Sequence, residues 1–250
     1  MEVMGSDPGE ELFDQYLEAN GYDVVAREPD IGTVKRPDRL IRANGHEVVV
    51  EIKSFNPEPV PSLDGPRYDV QALTLKKVRD KISEAAAQLK GIERYPLVVV
   101  LTNPLHAPLP LEPTLLTQVL YGDLEVVSRA DGTKLWRFGR NGRLYVDPVN
   151  GTARGNHPHI SAVCVLQDLP TEAAVTMSWM QQHAERFPNP MAAYTEALCH
   201  VSAEDQLGTT LRLDVFEAVS LSSAPLPREV FAGRFDSRWG VVSPGIYGRL

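Results

Sequence analysis

The feature that most restricts this chain is the dipeptide Asn44-Gly45, set between two short extended runs, Arg39 to Arg42 and His46 to Lys53. Asn and Gly both enter left-handed backbone at low cost. The pair therefore favours a two-residue type I′ turn, which fixes the register of the hairpin it joins. With residues 44 and 45 as the turn, Arg42 faces Glu47, Leu40 faces Val49 and Asp38 faces Glu51. Directly opposed residues of an antiparallel pair point to one side of the sheet, with Cβ atoms roughly 4.5–5.5 Å apart. Ile41, Val48, Val50 and Ile52 then point to the other side, as an apolar face expected to pack on a helix.

That register opposes two carboxylates, an arrangement that repels and weakens a sheet unless a cation lies between them. Mg²⁺ suits such a place, because it takes one or two carboxylates and leaves its other positions to water and substrate phosphate. Lys53, two residues after Glu51, projects from the same face. An ammonium beside a metal-bound water and a phosphate is placed to orient a nucleophile or stabilise developing charge. The competing reading is a surface hairpin with a cross-strand salt bridge. The opposed acids and the apolar second strand both speak against it.

The surrounding pattern predicts the elements that carry this hairpin. Asp7-Pro8-Gly9-Glu10 is a helix start, with Asp7 as N-cap, Phe13, Tyr16 and Leu17 as the apolar stripe, and Gly21 as the stop. A short strand is expected over 22–26, a proline-rich loop over 56–66, a helix over 74–91 with Val78, Ile82, Ala85, Ala86 and Leu89 on one face, and a buried strand over 97–101. Beyond Pro104 the pattern predicts a helix over 114–120, strands over 124–127, 134–138, 143–146, 160–166 and 211–219, and helices over 171–186 and 191–200. The Arg140-Asn141-Gly142 stretch is expected to join the strands over 134–138 and 143–146. The tail from Ser222 is expected to wrap over the body. This order predicts an α/β fold with a central mixed sheet flanked by helices.

Pro37-Asp38, twelve residues, then Glu51-Ile52-Lys53 resembles the signature of the PD-(D/E)XK, or restriction-endonuclease-like, nucleases. The preceding helix, the hairpin, the apolar strand and the following helix fall in that family's order, from about Gly9 to Asn103. The resemblance implies a restriction-endonuclease-like core over residues 1–104 and an α/β extension over 105–250 that completes the core or packs on it. It also implies that Asp38 and Glu51 ligate Mg²⁺, with Mn²⁺ as substitute, and that Lys53 assists the attacking water. Glu10 would add a first-helix carboxylate, with Glu11 as its competitor, and Gln88 the glutamine of the helix after the ExK strand. A capping box explains Glu10 equally well. Four residues after Gln88 stands Ile92, where the recombination-nuclease branch has tyrosine, so the resemblance does not extend to that branch.

DNA is the substrate that the resemblance implies, in restriction, phage defence or repair, and RNA is the alternative. Lys77 and Lys81, on the flank of Gln88, are candidate phosphate contacts, although such charges are commonly solvated surface. The net charge of −8 argues against a large non-specific nucleic-acid coat, but leaves room for a local basic surface. His157 and His159 flank Pro158 without a third ligand at metal spacing and are expected to be loop residues. Cys164 and Cys199 sit in apolar surroundings, as buried thiols of a cytoplasmic protein rather than a disulfide or zinc framework. No apolar run spans a membrane and no secretory leader is expected. A homo-oligomer or a partner subunit stays open. The rival function is a catalytically inactive nuclease-fold module that binds nucleic acid or a protein.

Overall fold

The computed structural model describes residues 7–32, 35–56, 70–105, 109, 111, 113–122, 124–128, 134–138, 157–187, 189–218, 224–243 and 246–250. Helix α1 (Pro8–Ala19) begins as its sequence requires: the Asp7 side chain accepts from Gly9 N at 2.7 Å, and Pro8 occupies the first turn, where no backbone donor is needed. Gly9 is constrained by space as well. A Cβ there would collide with Ser54 Oγ and Thr102 Oγ1, so the start of α1 lies against the ends of the next strands. Gly21, at φ +68°, ends the helix in left-handed backbone.

Strands β1 (Asp23–Arg27), β2 (Arg39–Ala43) and β3 (His46–Ser54) form an antiparallel meander. The turn has φ +49° at Asn44 and +84° at Gly45, and Arg42 pairs with Glu47, Leu40 with Val49. This is the register expected from the turn chemistry. Helix α2 (Val70–Gln88) then crosses over so that β4 (Leu97–Thr102) lies parallel to β3, since parallel neighbours need a crossover rather than a tight turn.

The second half of the chain continues the same sheet. Helix α3 (Pro113–Tyr121) is followed by a separate two-stranded pair, β5 (Leu124–Ser128) and β6 (Lys134–Phe138). Strand β7 (Ala162–Pro170) lies parallel to β4, and β8 (Thr209–Glu217) is antiparallel to β7. Helices α4 (Thr171–His183) and α5 (Pro190–Leu198) connect them. The eight strands run in the order β1-β2-β3-β4-β7-β8-β9-β10. The architecture is α/β: a mixed sheet with helices on its faces.

Two apolar layers sandwich this sheet. On one face Ile41, Val48, Val50 and Ile52 meet Phe13, Tyr16 and Leu17 of α1. On the other, Leu40, Val49, Val99 and Leu101 meet Val78, Ile82, Ala85, Ala86 and Leu89 of α2. Val50 and Ile82 are fully buried, each contributing about 1.5–3 kcal/mol by leaving water. A charge at Val50 would break the α1 contact.

Two expectations are corrected. The tail does not simply wrap over the body: β9 (Ser237–Ser243) pairs parallel with β8, and β10 (Ile246–Arg249) forms the far edge. Gly240 interrupts the strand pattern, and β8 supplies the pairing that local propensity does not. Cys164 is buried but Cys199 is exposed, because it caps the C-terminal end of α5 at the surface. The described partner of β6 is β5. The strand expected over 143–146, its junction at 140–142 and the loop over 57–66 lie outside the described residues.

Candidate active site

Strand β2 begins at Arg39, and the residue before it is held by its own side chain. Asp38 Oδ2 accepts from Ile52 N at 2.6 Å, standing in for the carbonyl that a longer ladder would offer. The Asp38 carbonyl accepts from Glu28 N of the neighbouring turn at 3.0 Å. Asp38 is thereby fixed beside β3, partly exposed, where its charge acts on Glu51.

Glu51 is fully buried on the α2 side of the sheet. Its Oε1 lies 2.8 Å from Lys53 Nζ as an ion pair, neither carboxylate oxygen has a hydrogen bond of good geometry, and the Lys53 ammonium and the Asp38 backbone N–H offset only part of the cost of burial. Burial pushes the Glu51 pKa up to about 7, and the Asp38 charge pushes the same way. Asp38 is also raised, first by burial and then by the charge of Glu10, against the Ile52 hydrogen bond. Burial alone would lower the Lys53 pKa, but the Glu51 carboxylate outweighs it, so Lys53 is a firm cation. That state suits electrostatic stabilisation better than proton abstraction at neutral pH.

Gln88, on the last turn of α2, accepts from Lys53 Nζ at 2.6 Å and so orients it. Glu84, one turn earlier and not anticipated from sequence, lies 3.4 Å from the same ammonium. Lys81 is half-exposed, 3.9 Å from Glu84, and Lys77 is exposed on the same flank.

Glu10 is not brought into the pair. Its Oε2 accepts from Arg39 Nη2 at 2.8 Å, and the cap of α1 is the Asp7 side chain on Gly9 N. Glu11 is exposed. Arg39 is buried, donates to Asp14 Oδ1 at 3.0 Å and to the Asp38 carbonyl at 2.8 Å, and so ties α1 to the peptide of Asp38. The signal for this was available: Arg39 alternates with Asp38 and must point toward α1, where Glu10 and Asp14 share a face. The imidazoles of His157 and His159 lie on α2, 3.2 Å from Ser83 Oγ and 2.8 Å from the Ala86 carbonyl.

Among the described residues no group of three or more His, Cys, Asp or Glu side chains is placed to hold a metal ion. The chemistry of the Asp38–Glu51 pair nonetheless fits a hard divalent cation. Glu51 is buried with no hydrogen bond of good geometry to either oxygen, its carboxyl resists ionising beside Asp38, and Mg²⁺ needs only one or two protein carboxylates. The site opens to solvent through Asp38, Lys53, Gln88 and Glu84, not through Glu51 itself. A cleft of about 450 Å³ lies elsewhere, beside the end of α1, lined by Gln15, Asn20, Asp168, Thr210, Arg234 and Asp236.

Fold and site together define a mixed α/β protein with an acid–acid–lysine set on its central hairpin. The chain matches no family model and no curated protein. Among solved structures it is similar to SfsA of Pyrococcus furiosus in complex with Ca²⁺, at 22% identity over 54% of this chain and 61% of that one, with a TM-score of 0.21. So partial a superposition transfers no property from one protein to the other. No described helix is long and apolar enough to cross a membrane.

Proposed function

We propose that this chain is a divalent-metal-dependent nuclease that hydrolyses phosphodiester bonds, with DNA as its substrate on the strength of the sequence resemblance. The supporting observation is Glu51: a fully buried carboxylate beside Asp38, ion-paired to Lys53 but with neither oxygen in a hydrogen bond of good geometry. Burying a carboxylate next to a second acid, with one ammonium between them, costs stability that a bound cation would restore.

In this reading Asp38 and Glu51 hold Mg²⁺ or Mn²⁺, which supplies Lewis acidity and a water of lowered pKa. Asp38 is positioned by Ile52 N, and Glu51 by the rigid strand core. Lys53, oriented by Gln88 and paired with Glu51, would stabilise charge on the phosphate. Glu10 acts at a distance: held by Arg39, it raises the proton affinity of Asp38 without reaching the centre. Lys77, exposed, and Lys81, half-exposed on the same flank of α2, would meet the nucleic-acid backbone.

The test is incubation of plasmid and linear DNA, with an RNA of the same sequence, with the protein and Mg²⁺ or Mn²⁺. Cleavage by the wild type and none by Glu51→Ala is expected. Equal cleavage by both proteins defeats the site assignment, and no metal-dependent cleavage by the wild type favours a binding module that keeps the fold without the chemistry.

A further inference from the structure

Lys77, Lys81, Glu84 and Gln88 stand on α2 at steps of four, three and four residues, which places them in one row along the helix. The row ends over Lys53. There Gln88 Oε1 and Glu84 Oε1 lie 2.6 Å and 3.4 Å from Lys53 Nζ, and Glu84 Oε2 lies 3.9 Å from Lys81 Nζ. Glu84 thus spans two ammonium groups with its two oxygens, one group rising from the floor of the sheet and one on the helix. Its side chain is 55% exposed against 13% for Lys53, so it stands at the mouth of the site, between solvent and the buried carboxylates.

A carboxylate between two ammonium groups has the charge and the paired oxygens of a phosphodiester's non-bridging positions. Its two contacts are long and partly solvated, the class of ion pair that contributes least and exchanges most readily for a better anion. The alternative is an ordinary helical surface pair between Lys81 and Glu84. That alternative does not account for the second contact, to a nearly buried lysine that already has Glu51 and Gln88.

We infer that Glu84 holds the place of a backbone phosphate, so that Lys53 and Lys81 form a phosphate subsite which the chain closes with its own carboxylate. The identity of the ligand as nucleic acid rests on the nuclease reading. What is added is the residue that sets how tightly the backbone binds beside the cleavage centre. Entry of substrate moves the Glu84 side chain into solvent and leaves Lys53 and Lys81 paired to phosphate oxygens. No bond is made or broken in that exchange.

The experiment measures binding of a short fluorescent DNA duplex by anisotropy, in EDTA so that cleavage is excluded, with an RNA strand of the same sequence as a second arm. Glu84→Gln keeps the shape and the helix propensity. It is expected to bind about three- to fivefold more tightly than wild type at low salt, the size of one exposed ion pair removed from competition. Lys81→Ala is expected to weaken binding and to reduce the slope of log affinity against log salt by about one. The control is Asp80→Asn, on the same helix but paired with Lys76, which removes an equal charge away from the subsite. Equal tightening by Asp80→Asn and Glu84→Gln reduces the effect to net charge and overturns the inference, as does no tightening by Glu84→Gln. Tightening by Glu84→Gln alone, with cleavage surviving Glu51→Ala, keeps the subsite and rejects the assigned centre. Absence of any nucleic-acid binding by the wild type rejects both.

Discussion

Two clusters of buried charge share one face of the sheet, and they are built to opposite rules. Lys53, Leu101, Val165 and Asp214 are register partners across β3, β4, β7 and β8, so the cluster around Glu51 and that around Asp214 lie in neighbouring rows about 14 Å apart. At Asp214 the charges match one to one: Oδ1 accepts from Arg212 Nε at 3.0 Å and Nη2 at 2.8 Å, and from Ser237 Oγ, although Oδ2 and Arg212 Nη1 are buried without a partner. One acid faces one guanidinium, sealed from water, and Ser237 in turn accepts from Trp239 Nε1 at 2.7 Å. At Glu51 two acids share one ammonium, and the neighbours of that ammonium reach solvent. The first arrangement joins β8 to β9 and stays closed. The second carries uncompensated negative charge at a place that can be reached, which is a property of ion-binding sites rather than of staples.

The contrast is sharpest in activity. Glu51→Ala is expected to lower cleavage at least about a thousandfold, roughly 4 kcal/mol of transition-state stabilisation, while far-ultraviolet circular dichroism keeps the wild-type shape. Loss of structure with loss of activity would make Glu51 a staple like Asp214.

Next in size is the opposite experiment. Asp214→Ala leaves Arg212 charged and buried without its partner, at an expected cost of about 3–5 kcal/mol, read as a lowered urea midpoint. The paired replacement Arg212→Met with Asp214→Leu should recover most of that stability. Failure of the double variant to recover would mean that the cluster does more than join two strands.

Proton linkage tests the Glu51 cluster at an intermediate scale. The Glu51 pKa is about 7 when folded and 4.5 as its ordinary value, so the folded state binds more protons between them. Without metal, the stability that Glu51 contributes is fully present below about pH 4.5 and is lost as pH rises through about 7, a change on the order of 3 kcal/mol. Thermal unfolding in EDTA should therefore show a decline from pH 5 to 8 (about that window) in the wild type that Glu51→Gln flattens. Mg²⁺ should restore wild-type stability at the alkaline end, leaving Glu51→Gln unmoved. An identical pH profile for the two proteins would contradict the burial argument.

The smallest expected effect tests the turn that sets the geometry. Gly45→Ala, at φ +84°, should cost about 1 kcal/mol through backbone strain, seen in the melting temperature. A larger fall in metal-dependent stabilisation than in overall stability would show that the carboxylate spacing depends on this bend.

What could be read without coordinates was local. The hairpin register followed from two turn residues, because a type I′ bend leaves the paired strands no freedom. The helix start at Asp7 and the apolar stripes of α1 and α2 followed from capping and from period. These carry Glu51 and Lys53 to one face and Gln88 to the adjoining flank, while Asp38, just before the first ladder pair, is placed by its hydrogen bond to Ile52 N.

Other features were decided by partners distant in sequence. Glu10 is placed by Arg39, and Glu84 meets Lys53 across a crossover. The tail becomes β9 and β10 only because β8 offers an edge to pair with. Local propensity and alternation are properties of neighbouring residues, and an amino-acid sequence states them directly. The choice of an ion pair or a strand partner depends on which groups the packed core brings within a few ångströms and removes from water, and that is settled when the layers close.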